Sequence, residues 1–183
     1  MPEIKAMIVM DGEGARVAAK YYSRGSFPDR ASETELEKKL FRKARGAGAG
    51  AAAKTDTEVA LVDGCTAVYK WSGGDLLFFV VGGGDENELV LVAVLDALCE
   101  ALALLLRGGV DKRNVLQNLE LLLLAMDETV DGGIILELDP REIDARVMLK
   151  GAVPESISSY KELTVGAVVD KLKDRAQKQF ARP

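Results

Sequence analysis

Between Leu89 and Leu106 the chain carries 16 apolar residues out of 18, a density that demands a helix covered on nearly every side. The two exceptions, Asp96 and Glu100, stand four apart and therefore share one helix face. A membrane span would hold two ionised carboxylates near its middle at a cost of roughly 2.5 kcal/mol or more each. The stretch 87–107 therefore reads as a helix of a soluble protein, buried in protein with one narrow wet stripe. Its eleven Leu and Val side chains are worth about 2 kcal/mol apiece on burial. The rest of the chain has to supply the surfaces that cover them.

A chain of 183 residues is large enough for one domain that buries about 70% of its unfolded surface. Net charge is −5, with both signs interspersed, so no overall positive field draws nucleic acid or an anionic membrane. The start, MPEIKAMIVMDG, lacks a basic stretch followed by a long apolar run, so no secretory signal is expected and the chain is expected to stay in the cytosol. There is no histidine, which removes Ser/His and Cys/His catalysis and the imidazole ligands of most zinc sites. Cys65 and Cys99, the only cysteines, fall in a strand-like run and in the apolar helix, and read as buried free thiols.

Residues 4–10 and 15–22 are β-prone runs joined by Asp11-Gly12-Glu13-Gly14, a hairpin whose first strand is apolar on both sides and so belongs inside a sheet. Strict alternation places Ile4, Ala6, Ile8 and Met10 on one face. Ser32-Glu33-Thr34-Glu35 fits a capping box for a helix to about Lys43, with Leu36 and Leu40 inward and Glu35–Lys39 paired outside. Residues 45–54, RGAGAGAAAK, lack periodicity and read as a disordered loop. TEVALV, CTAVYKW and DLLFFVVG read as an antiparallel meander turning at Asp63-Gly64 and Ser72-Gly73-Gly74.

A second helix, about 111–130, follows the first across Gly108-Gly109, with Asp111 as its N-cap. Its wheel puts Val115, Leu116, Leu119, Leu122, Leu123, Met126 and Val130 on a core face. Leu121 and Leu124 fall opposite, among polar residues. They are either ordinary exposed leucines or the partner-binding pair that a subunit interface requires. Asp131-Gly132-Gly133 ends that helix, IILEL is extended, and Asp139-Pro140 caps a further short helix. A charged helix is expected at about 164–181.

No catalytic, cofactor-binding or metal constellation emerges. Gly82-Gly83-Gly84 precedes a helix but has neither phosphate-loop spacing nor a following Lys, and Asp85, Glu86 and Glu88 would repel an anion. Asp96 with Glu100 lacks the partners of a di-metal bundle. Asp127, Glu128 and Asp131 lack the alternating ligands of a calcium loop.

The order strand, strand, helix, three strands, two helices resembles the longin-like (SNARE-like) fold of the small subunits of vesicle-coat adaptors. That is an α+β architecture with a five-stranded antiparallel sheet between helices, ββαβββαα plus C-terminal helices. IKAMIVMDGEGARVAAKYY, the SETELEKKLFRKA helix, TEVALVDGCTAVYKW, DLLFFVVGGGDENELVLVAVLDAL and LAMDETVDGGIILELDPREIDARV together are similar to the zeta family of coatomer, the COPI coat. DETVDGGIILELDP is the most specific piece. The likeness spans roughly residues 3–150, and more loosely the C-terminal helix. Sigma chains of clathrin adaptors share the fold but not DGG followed by LELDP. The GAGAGAAA insertion and the glycine-rich strand-to-helix turn depart from the pattern, both in loops.

The resemblance implies a longin-like domain over 1–150 and a C-terminal extension over 151–183. It implies a non-catalytic subunit without cofactors, in obligate pairing with the trunk of the gamma subunit and joined by the beta and delta subunits. Recruitment to Golgi membrane would be indirect, through the ADP-ribosylation factor GTPase, for retrograde Golgi-to-ER and intra-Golgi transport. The protein would be cytoplasmic and peripheral on Golgi membrane and coated vesicles through the coat alone. Two other readings are a sigma-type chain that holds dileucine cargo peptides, which needs a hydrophobic slot flanked by basic residues, and a free-standing longin-like regulator. An enzyme would need a phosphate or metal at residues 82–88.

Overall fold

The computed structural model describes residues 3–46 and 57–151. Residues 1–147 make one compact unit and 148–183 another; the architecture below is that of the first. The expected helix at 164–181, and the expected loop from residue 47 onward, lie outside the described residues.

The elements are β1 (Ile4–Asp11), β2 (Arg16–Tyr21), α1 (Arg30–Gly46), β3 (Glu58–Val62), β4 (Cys65–Ser72), β5 (Leu76–Gly83), α2 (Glu88–Leu105), α3 (Lys112–Gln117), α4 (Leu119–Thr129), β6 (Val130–Asp131), β7 (Ile134–Ile135) and α5 (Pro140–Gly151). Strands β2-β1-β5-β4-β3, in that order, form one antiparallel sheet. The two strands that are apolar on both sides, β1 and β5, are its inner members, because only covered strands can bury both faces. On one face α1 brings Leu36, Leu40 and Ala44 onto Ala6, Ile8, Met10, Ala67, Tyr69, Phe79 and Val81. On the other, α2 and α4 pack side by side and cover Met7, Val9, Val68, Phe78 and Val80.

Alternation alone misplaces Ile4. It pairs with Gly82 while Ala6 pairs with Val81, so Lys5 is an extra residue in β1. Such a bulge reverses the in–out parity, and Ile4 joins Met7 and Val9 on the α2 side.

Helix α1 begins before the expected Ser32 cap. Asp29 Oδ1 accepts from Ser32 N at 2.8 Å, Ser32 Oγ donates to Asp29 O at 2.7 Å, and Glu33 N donates to Asp29 O at 3.2 Å. Asp29 therefore satisfies the orphan amide, and Ser32 serves inside the first turn. At its other end the helix runs through Arg45 and Gly46, two residues into the segment expected to be a loop.

The helix expected over 111–130 starts as expected, with Asp111 Oδ1 accepting from Asn114 N at 2.8 Å, but breaks at Asn118 (φ −126°, ψ 39°). Asn118 Nδ2 donates to Asn114 O at 2.9 Å, and Asn114 Nδ2 donates to Gly109 O at 2.8 Å. Local side-chain bonds of this kind compete with the helical ladder. The break resets the phase. Leu116, expected inward, is 49% exposed, and the buried stripe of α4 becomes Leu122, Ala125, Met126, Glu128 and Thr129.

In α2 the inward set is Leu91, Val94, Leu95, Ala97, Leu98, Ala101, Leu102 and Leu105. Lys70 Nζ meets Asp96 Oδ1 at 3.0 Å on the outer stripe, and Glu100 is exposed. Among the described residues no helix is long and apolar enough to cross a membrane.

Candidate partner-binding surface

Beyond Thr129 the chain leaves α4 for a two-stranded hairpin, Val130↔Ile135 and Asp131↔Ile134. Gly132 and Gly133 turn it with φ of +56° and +86°, values that glycine adopts without the penalty of a Cβ. Three hydrogen bonds pin the hairpin to the domain. Ile4 N donates to Gly133 O at 2.9 Å, Leu136 N to Thr129 O at 2.9 Å, and Tyr22 Oη to Val130 O at 3.2 Å. Burial, together with the nearby Asp127 and Asp131 carboxylates, pushes the Tyr22 phenol upward and keeps it a donor.

The extended run 134–138 then alternates. Ile135 packs against the core. Glu137 accepts from the amides of Asp139 (3.1 Å) and Leu138 (3.0 Å) and from Arg146 (2.9 Å), and the two backbone hydrogen bonds, aided by the Arg146 charge, hold its carboxyl below the usual range. Between them Ile134, Leu136 and Leu138 point outward, 50%, 52% and 39% exposed. A period of two puts these three side chains in one row. A held extended segment that shows a row of large apolar side chains to solvent has the character of an interface. Sequence reading passed these residues over, although IILEL carries the signal: apolar side chains at alternate positions where the inward ones already suffice for the core.

Leu121 and Leu124, the pair read from the sequence as partner-binding, sit on α4 half-buried, packed against the edge of the core with Leu119 and Leu123. The structure does not leave them fully exposed, and the outward row of the hairpin offers more apolar surface. Lys20 pairs with Asp127 across from β2, at the end of the same helix.

Candidate chemistry finds structural explanations. A Cβ on Gly82 would stand 2.9 Å from Leu91 Cδ2, and one on Gly84 would stand 2.5 Å from Gly64 O, so close packing of α2 and of the β3–β4 turn requires these glycines. Asn87 Oδ1 caps α2 by accepting from Leu89 N at 2.9 Å. Among the described residues no three Cys, Asp or Glu side chains are grouped to hold a metal ion.

Comparison with known proteins places the chain in context. A model of the clathrin adaptor complex small chain matches residues 3–153. The chain is 41% identical to coatomer subunit zeta-1 of Homo sapiens over 180 residues, 98% of this chain and 93% of the relative. To coatomer subunit zeta-1 of Oryza sativa subsp. japonica it is 42% identical over 164 residues, 90% of this chain and 88% of the relative. In three dimensions it is similar to a chain in a homology model of the full-length AP-3 complex in a stretched open conformation, with a TM-score of 0.61 and 18% identity, covering 86% of this chain and 98% of that one. At that identity the likeness speaks for the fold.

Proposed function

Since the chain belongs to the clathrin adaptor small-chain family, and within it to the zeta subunits of coatomer, we propose that it is a non-catalytic structural subunit of the COPI coat. In this reading it pairs with the helical-solenoid trunk of the gamma subunit and, with the beta and delta subunits, builds the adaptor-like core. Its place is the cytoplasmic face of Golgi membrane and of coated vesicles. There the coat is recruited by the ADP-ribosylation factor GTPase and serves retrograde Golgi-to-ER and intra-Golgi transport.

The observation that carries this reading is the near full-length likeness to zeta-1 chains of animals and plants. The outward row Ile134, Leu136 and Leu138 supports it with apolar surface of the kind such a pairing needs, and the half-buried Leu121 and Leu124 of α4 are further candidates. Solenoids present extended concave surfaces, which suit a protruding row of this kind.

Co-expression with a coatomer gamma trunk, followed by size-exclusion chromatography with mass determination, tests the reading. A one-to-one complex is expected. A chain that elutes alone as a monodisperse monomer beside an intact gamma trunk contradicts it and favours a free-standing longin-like regulator.

A further inference from the structure

The strand that opens the sheet order is β2, paired with β1 alone. Tyr22 N donates to Lys5 O at 2.8 Å, and next to that pair Tyr21 stands opposite Ala6 and Lys20 opposite Met7. The backbone groups of an antiparallel strand point to its two sides in turn. Tyr22, Lys20 and Ala18 therefore bond to β1, while Tyr21 and Ala19 turn their N–H and C=O groups outward. The strand and the segments on both sides of it are described throughout, and among the described residues no hydrogen bond engages those outward groups. Sheets guard such an edge with bulges and charged side chains. Here the bulge sits at Val17, because Val9 stands opposite Ala18 and Met10 opposite Arg16, and it leaves residues 18–21 regular. The two cations of the strand are already neutralised, Arg16 by Glu33 at 3.0 Å and by Glu37, and Lys20 by Asp127.

The two faces beside this edge differ. Ala19 and Tyr21 lie on the α1 side with Phe27, whose ring centroid is 5.3 Å from that of Tyr21. Ala19 is small, so a side chain set opposite it finds room beside an aromatic pair. Lys20 lies on the α4 side, where the Asp127 side chain is 49% exposed and Asp131 is exposed as well. Both carboxylates stand near enough to Tyr22 to help push its phenol upward. Two carboxylates against the one ammonium of Lys20 leave that side negative.

We propose that the outer edge of β2 takes up an extended segment of a protein partner as an added strand, with apolar side chains toward Tyr21 and Phe27 and Lys or Arg toward Asp127 and Asp131. Side chains of such a strand alternate between the two faces. Main-chain bonds to Ala19 and Tyr21 supply affinity, and the alternate positions supply specificity, as in other strand-addition complexes. The surplus of carboxylates repels an anionic membrane or a nucleic acid, so a basic peptide is the occupant that fits. The proposal does not depend on pairing with gamma.

The test uses the full chain and a fluorescein-labelled peptide of about ten residues with alternating Lys and Val, a spacing that matches the strand period, read by fluorescence anisotropy. Saturable binding is expected, weakening as salt rises because exposed charges are screened, while the matching Glu/Val peptide does not bind. The same Lys/Val peptide N-methylated at every second residue keeps its charge but loses the donors of one edge, and should bind about tenfold more weakly or worse, the loss of two or more hydrogen bonds. Asp127→Asn with Asp131→Asn should weaken binding about threefold, the scale of exposed ion pairs. Ala19→Pro removes one outward N–H at a position where an edge strand tolerates proline, and should weaken binding with circular dichroism unchanged. In isotope-labelled protein the amide shifts on titration should concentrate in residues 18–22. Failure of the Lys/Val peptide to bind, equal binding of the Glu/Val peptide, indifference to N-methylation of either alternate set of residues, or amide shifts that leave residues 18–22 unmoved would each overturn the proposal.

Discussion

Replacing Gly133 by Ala should loosen the hairpin that presents the apolar row, and its neighbour Gly132 supplies the control. Both have positive φ, where an L-residue costs about 1–2 kcal/mol. Around Gly132 nothing lies within 4 Å of an added Cβ, so Gly132→Ala should cost about 1 kcal/mol, the conformational penalty alone. At Gly133 the added Cβ stands 2.8 Å from Ile4 O and 3.4 Å from Tyr22 Cβ. Ile4 O is backbone of an inner strand and does not yield cheaply, so the hairpin moves. That movement strains the 2.9 Å bond from Ile4 N to Gly133 O, a further loss of about 1 kcal/mol. The total for Gly133→Ala is about 2 kcal/mol, or roughly 4–8 °C in Tm at this chain length. Urea unfolding with linear extrapolation reads the difference. Equal losses for the two variants, or a Gly133→Ala variant as stable as the parent, would refute the claim that this turn is locked against β1.

Three further outcomes follow from the same structure. Leu136→Glu with Leu138→Glu alters half-exposed side chains and should leave urea stability within about 1 kcal/mol while abolishing co-purification with the gamma trunk; Leu121→Arg with Leu124→Arg, at half-buried positions, should lose measurable stability as well. At Asp11, burial works to raise the pKa, but hydrogen bonds from Lys112, Ala15 and Glu13 and the Lys112 charge outweigh it and hold the carboxyl below its ordinary 3.8. Its contribution is therefore full above about pH 4 and fades as pH falls through the lowered value, so the stability gap between the parent and Asp11→Asn should be constant from about pH 6 to 8 and narrow below about pH 4. Burial foremost, aided by the Asp96 and Glu100 carboxylates and opposed by Lys70, pushes the Cys99 thiol up to about 12, so iodoacetamide at about pH 8 should label Cys99 in urea and spare it in the folded protein, because the thiolate is the nucleophile.

Periodicity made the element order and the inner positions of β1 and β5 legible, since a strand that is apolar on both sides has few other places to go. The Asp63-Gly64 turn was equally plain, with φ of +52° and +72° at the two residues. Single residues that change phase were not. Lys5 as a bulge transfers Ile4 to the other face, and Asn118 breaks one expected helix into α3 and α4 and turns Leu116 outward. Neither shift alters composition, and each depends on a hydrogen-bond choice that becomes visible only when partners are in place. The Ser32 cap failed for a similar reason. Asp29, three residues earlier, offers an equivalent carboxylate acceptor, and the helix extends to use it. For the candidate surface, the sequence pointed to the solvent side of α4 through Leu121 and Leu124 but missed Ile134, Leu136 and Leu138. A run as short as IILEL looks like core until the packing shows which side of it is already covered.

Hydrogen exchange of the chain, free and bound to the gamma trunk, tests the central claim most directly, because it asks in one measurement whether the partner binds and where. Slowed exchange in residues 134–139 and along α4 on binding is the expected result, with the sheet interior already protected in the free protein. Binding that leaves 134–139 unchanged, or a gamma trunk that slows no segment of this chain at all, would contradict the account.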